Sequence, residues 1–166
     1  LGRLGNRRCA IAGREIAPYA LVSSPGAASL TDGTKILDRL MLKKSAGEID
    51  AMRRASALAD DGYGAFMAAA RPGRREYELV ADTETYLRTR GCPENFQIMG
   101  SGGPEVRGMH PPGERRLQKG DLVTTELTPC VDGYYAQICR TLVLGPATAE
   151  QKRAFAIFLE ALEAGI

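Results

Sequence analysis

Apolar residues along this chain follow two patterns, one with helical spacing and one that alternates. Ile36, Leu37, Leu40 and Met41 recur at the spacing of one helix face, which predicts a helix over "TKILDRLMLKK". Ser45 has Glu48 three residues on, a capping box that opens a second, longer helix. Ile49, Met52, Leu58 and Phe66 are its larger apolar residues among many alanines, and it should run to about Ala70. There "RPGR" ends it, because proline disfavours a helical conformation in the residue before it. A third helix is predicted over "REYELVADTETYLRTRG", with Leu79, Ala81, Tyr86 and Leu87 as core positions and Gly91 as a left-handed cap. "TAEQ" is a further capping box, ahead of Phe155, Phe158, Leu159 and Leu162 on one helix face.

Between the helices lie strand patterns. "RRCAIAG" reads as a short strand ending at Gly13, "SSPGAAS" as a loop, and "NFQIMGSGG" as a strand running into a glycine-rich bend. "TTELTPCVDGYYAQICRT" reads as two strands joined at Asp132-Gly133, a dipeptide favoured in two-residue hairpin loops. Hairpin-connected strands mean an antiparallel or mixed sheet, so the fold class expected is α+β. With a two-residue loop, Val131 pairs Tyr134 and Thr128 faces Gln137. Glu126 and Gln137 then share a face as diagonal neighbours, roughly 7–8 Å apart. A four-residue loop would put them directly opposite, still on one face. Thr124, Thr128, Tyr135, Cys139 and Thr141 share it, while Val123, Leu127, Tyr134, Ile138 and Leu142 form the core side. A small polar face backed by an apolar one suits the floor of a pocket.

Composition narrows the function. Of 166 residues, 44% are hydrophobic and 25% charged, which describes an ordinary globular protein. A net charge of +2 gives no electrostatic footprint for nucleic acid, so small substrates or proteins are the expected partners. No apolar stretch approaches the roughly 20 residues that span a bilayer, and "LGRLGNRR" lacks the apolar core of a signal peptide. Cys9, Cys92, Cys130 and Cys139 are widely spaced and read as small buried hydrophobes in a reducing compartment, which places the protein in the cytoplasm. His110, the one histidine, lies in "VRGMHPPGERRL" and is the natural proton carrier near neutrality.

"MLKKSAGEIDAMRRASALADDG", "GRREYELVA" and "GSGGPEVRGMHPPGERRLQKGDLVTTELTPCVDGYYAQICRTLVLG" together resemble the aminopeptidase P, prolidase and creatinase superfamily over roughly Leu40 to Ile166. The resemblance implies the pita-bread α+β fold. Residues 1–39 would be the remnant of an N-terminal domain, and residues 40–166 the first half of the catalytic domain. It also implies a hydrolase of C–N bonds in peptides or amides. In metallopeptidase members, two aspartates eleven residues apart hold a pair of metal ions, and those positions here are Glu126 and Gln137. A neutral carboxamide is a poor substitute for a bridging carboxylate. The expectation is therefore no cofactor and no dinuclear metal site, with Glu126 the only candidate ligand. Creatinase, which works without metal, is the precedent: His110 would carry the proton, while Glu126, Gln137 and Tyr135 would bind substrate. The segment from His110 to Glu126 is one residue shorter than the resemblance leads one to expect. The alternatives are an Xaa-Pro dipeptidase or aminopeptidase using one divalent metal (Mn, Co or Zn), and a non-catalytic binding module. The family's other functional residues belong to the second half of the domain, so the chain is expected to be incomplete and inactive alone. An exposed apolar face predicts a homodimer.

Overall fold

The computed structural model describes residues 9–23, 30–103, 106 and 108–166. The backbone divides into two units, Leu1–Ala46 and Gly47–Ile166. In the first, strand β1 (Ala10–Ile11) pairs in parallel with β2 (Thr31–Asp32). A 3₁₀ turn at Arg14–Ile16 and the short helix α1 (Tyr19–Val22) come between them, and α2 (Thr34–Leu42) follows. Helix α2 forms where the spacing placed it, yet Ile36, Leu40 and Met41 are all exposed. Apart from Ser23, the expected "SSPGAAS" loop lies outside the described residues.

The second unit opens with α3 (Ala46–Ala69), directly after Ser45. Its buried positions are Ala51, Ala55, Ala59, Gly62, Phe66 and Ala69, three or four residues apart. Ile49 and Met52 are exposed whereas Phe66 is fully buried, so apart from Phe66 the buried face is a stripe of small residues. Small side chains let the helix backbone lie close to what it covers. A Cβ on Gly62 would stand 2.9 Å from the Leu87 side chain of α4 (Glu76–Arg88). Within α4, Leu79 and Leu87 are buried as their spacing predicts. Ala81 is exposed, and Thr83 occupies the core instead, its hydroxyl satisfied by the Leu79 carbonyl at 2.9 Å. Gly91 has φ +83°, the left-handed cap expected of it.

Four strands make the sheet: β3 (Asn95–Gly102), β4 (Leu122–Val131), β5 (Tyr134–Tyr135) and β6 (Ile138–Val143). β4 is central, antiparallel to β3 on one side and to β5 and β6 on the other. Val123 and Leu127 are fully buried on its core side, where Met99, Leu117, Phe66 and Leu79 gather with Val123. Each such side chain contributes roughly 1.5–3 kcal/mol of burial energy. α5 (Ala149–Ala164) starts at the predicted capping box: Thr148 Oγ1 accepts from Gln151 N at 3.1 Å and Gln151 Oε1 from Thr148 N at 2.8 Å. Its apolar stripe stays open, with Phe155 67% and Phe158 75% exposed.

Candidate functional site on the hairpin face

Asp132 (φ +50°) and Gly133 (φ +83°) both adopt positive φ, as a two-residue hairpin turn of the favoured twist requires. Val131 therefore pairs Tyr134, and Cys130 pairs Tyr135. The same register resumes at Leu127 opposite Ile138 and continues to Leu122 opposite Val143. In between stands Pro129. Its carbonyl accepts Ala136 N at 3.1 Å, but it has no N–H to return the bond. The ladder breaks there, and Ala136 and Gln137 lie outside both strands. The tip is fastened to α3 by Tyr134 OH donating to Glu48 Oε1 (2.5 Å) and Arg54 Nη2 to Asp132 Oδ2 (2.7 Å).

Across the break, Gln137 Nε2 donates to Glu126 Oε1 at 2.6 Å. A carboxylate can only accept, so the amide nitrogen faces it and the amide oxygen is left for another donor. Thr124 and Thr141 hydroxyls meet at 2.9 Å on the same face. Cys139 stands directly opposite Glu126 and is exposed, which corrects the expectation that all four cysteines are buried. Cys92 and Cys130 are buried. Tyr135 OH donates to Glu94 Oε2 at 2.7 Å. That hydrogen bond, then burial and the Glu94 charge, push the phenol up to about 12, so Tyr135 stays protonated and can line the site without exchanging protons.

His110 is held elsewhere. Its N–H donates to Met99 O at 2.9 Å and its carbonyl accepts Met99 N at 3.0 Å. Nδ1 lies 2.7 Å from Pro111 O, and since a carbonyl only accepts, Nδ1 carries the proton and Nε2 is the free nitrogen. Met99 is opposite Thr125, whereas Glu126 is opposite Ile98. His110 is thus one place out of step with Glu126, and strand alternation puts its side chain on the Met99 side of the sheet. The structure brings Glu126 and Gln137 together with Tyr135 along the same face. It does not bring His110 to them.

A buried polar network near the start of β4 went unpredicted. Arg115 donates to both Asp121 carboxylate oxygens (2.6 and 3.0 Å) and to Ser101 Oγ (3.0 Å). Gln118 N donates to Asp121 Oδ2 at 2.7 Å, and Ser101 Oγ donates to the buried Glu76 at 2.6 Å. Burial alone would raise the Asp121 carboxyl, but the Arg115 hydrogen bond, the Gln118 N–H and the Arg115 charge outweigh it and hold it below the usual range. Gly120 (φ +93°) ahead of Asp121 signals a turn at the head of β4, but not the Arg115 and Ser101 partners. Arg140 donates to Cys139 O at 2.9 Å and makes no salt bridge among the described residues.

Residues 50–166 match the metallopeptidase family M24. The chain is 31% identical over 148 residues to the putative dipeptidase YkvY of Bacillus subtilis, covering 88% of this chain and 41% of that protein. It is 28% identical over 128 residues to the Xaa-Pro dipeptidase of Pyrococcus furiosus, covering 76% and 37%. The crystal structure of the prolidase from Pyrococcus horikoshii superposes with a TM-score of 0.82 at 23% identity, over 94% of this chain and 47% of that one. The fold is therefore the α+β pita-bread fold of the prolidases and aminopeptidases P. The chain spans less than half the length of these relatives.

Proposed function

Because this chain belongs to metallopeptidase family M24, we propose that the protein hydrolyses C–N bonds of peptide or amide-like substrates without a two-metal centre at Glu126 and Gln137. The observation that carries this reading is the 2.6 Å hydrogen bond between them. One member of the pair is uncharged, and its N–H occupies an oxygen of the other. This donor set does not fit a dinuclear centre, which needs carboxylates to neutralise two divalent cations.

In this reading Glu126 Oε2 and the Gln137 amide oxygen are two neighbouring acceptors, suited to a substrate amide, an ammonium group or an attacking water. Tyr135 lines the face. His110 is the proposed proton carrier, through Nε2. A second reading, supported by the match to a metallopeptidase family, is an Xaa-Pro dipeptidase or aminopeptidase with one divalent metal (Mn, Co or Zn) held through Glu126. We place the protein in the cytoplasm on its cysteine spacing; no described helix is long and apolar enough to cross a membrane. The open stripe of α5 supports a homodimer.

Metal analysis and turnover of the protein purified without chelator test the reading. Metal near two per chain would overturn it, and hydrolysis of a proline dipeptide that stops with chelator would favour the single-metal reading. Unchanged turnover in His110→Ala would remove the proton-carrier role. No hydrolysis together with a specific protein partner would make this a binding module.

A further inference from the structure

Glu76, the first residue of α4, is 1% exposed and has no part in the chemistry above. A buried carboxylate is costly unless its oxygens are satisfied. Those of Glu76 serve two different segments. Oε1 accepts from Ser101 Oγ (2.6 Å) near the end of β3, and Oε2 accepts from Gly113 N (2.9 Å), three residues beyond His110. The same loop also closes on the helix start. Tyr77 N donates to Gly113 O at 3.3 Å and Glu76 N to Arg115 O at 3.2 Å, which occupies N–H groups that have no partner within the helix. A Cβ at Gly113 would lie only 3.3 Å from Glu76 Oε2, so the glycine allows the close approach.

On its other side the loop is anchored at His110 by the paired hydrogen bonds to Met99. Only Pro111 and Pro112 lie between the two anchors, and their fixed φ leaves that link little freedom. We propose that Glu76 is a positioning residue for His110: its carboxylate fixes the far end of the two-proline link and so decides where the imidazole stands. Its functional meaning rests on the proton-carrier role proposed for His110.

As the chain's one histidine, His110 gives a single set of imidazole nitrogen resonances in the full chain. In the wild type these should report the proton on Nδ1. Glu76→Ala should shift them towards a mixture of tautomers and speed Gly113 amide exchange by about tenfold or more, the lower end of what loss of one hydrogen bond to a charged acceptor gives. Glu76→Gln should restore both, because its amide oxygen can accept from Gly113 and its nitrogen can donate to Ser101. Unchanged resonances and exchange in a folded Glu76→Ala protein would overturn the proposal. If that variant does not fold, Gly113→Ala, which crowds the same oxygen from the loop side, decides it: an unaltered imidazole spectrum overturns the proposal and a shifted one upholds it. His110→Ala with unchanged turnover would remove the proton-carrier role and leave the positioning result standing.

Discussion

Replacing Asp121 by alanine removes the Arg115 hydrogen bonds at 2.6 and 3.0 Å and the Gln118 N–H bond at 2.7 Å in one step. The Asp121 side chain is 7% exposed and that of Arg115 35%, so the aspartate sits in the interior while the guanidinium can partly rehydrate. Breaking a buried ion pair costs about 3–5 kcal/mol, and partial rehydration points to the lower end, about 3 kcal/mol. With a urea dependence of about 1–3 kcal/mol/M, the unfolding midpoint followed by circular dichroism should fall by about 1–3 M. Arg54→Ala is the control. Its pairs with Asp50 and Asp132 are exposed and should contribute no measurable shift. The pH dependence has a definite sign. The Asp121 carboxyl is lowered in the folded state, so its contribution is complete above the ordinary aspartate value of 3.8 and fades as pH falls through the lower folded value. Wild type should lose stability in that acid window faster than Asp121→Ala. Equal midpoints for the Asp121 and Arg54 variants, or parallel acid curves for wild type and Asp121→Ala, would refute the network's place in the interior.

A Cβ at Gly100 would meet Gly108 O at 2.3 Å, below the 3.0 Å that real Cβ contacts keep. Gly100→Ala should therefore cost about 1–3 kcal/mol in urea unfolding and speed amide exchange at His110. Exchanging Met109 and His110 (Met109→His with His110→Met) should carry the imidazole to the Glu126 side. Its nitrogen resonances should then respond to Glu126→Gln, whereas those of the wild type should not. Phe158→Glu puts a charge in the open α5 stripe and should weaken self-association in sedimentation. A wild-type chain that sediments as a monomer would rule out the dimer.

Elements fixed by local chemistry were legible in the sequence. Asp132-Gly133 gave the turn, and the turn gave the register that sets Glu126 beside Gln137. The capping box at Thr148 and the left-handed Gly91 also report local backbone geometry. What local pattern could not show was which neighbour each face meets. Ile49 and Met52 look like core residues by hydrophobicity, yet the alanines face inward, because helix α3 packs closely through its small positions. Thr83 enters the core because its own helix supplies an acceptor, which apolar spacing does not reveal. The network of Glu76, Ser101, Arg115 and Asp121 joins residues from separate parts of the chain and leaves no periodic trace. His110 was readable as a reactive group, but its side of the sheet depends on a single residue of register, the quantity in which its segment departs from the family resemblance.

Pro129, in the middle strand, makes the hairpin two mechanical pieces. The outer piece is bolted to α3 and to Glu94 through Tyr134, Asp132 and Tyr135, while the inner piece is woven into the sheet. The contact between Glu126 and Gln137 spans the joint. Anything that binds there and displaces it releases a side-chain hydrogen bond that crosses that seam.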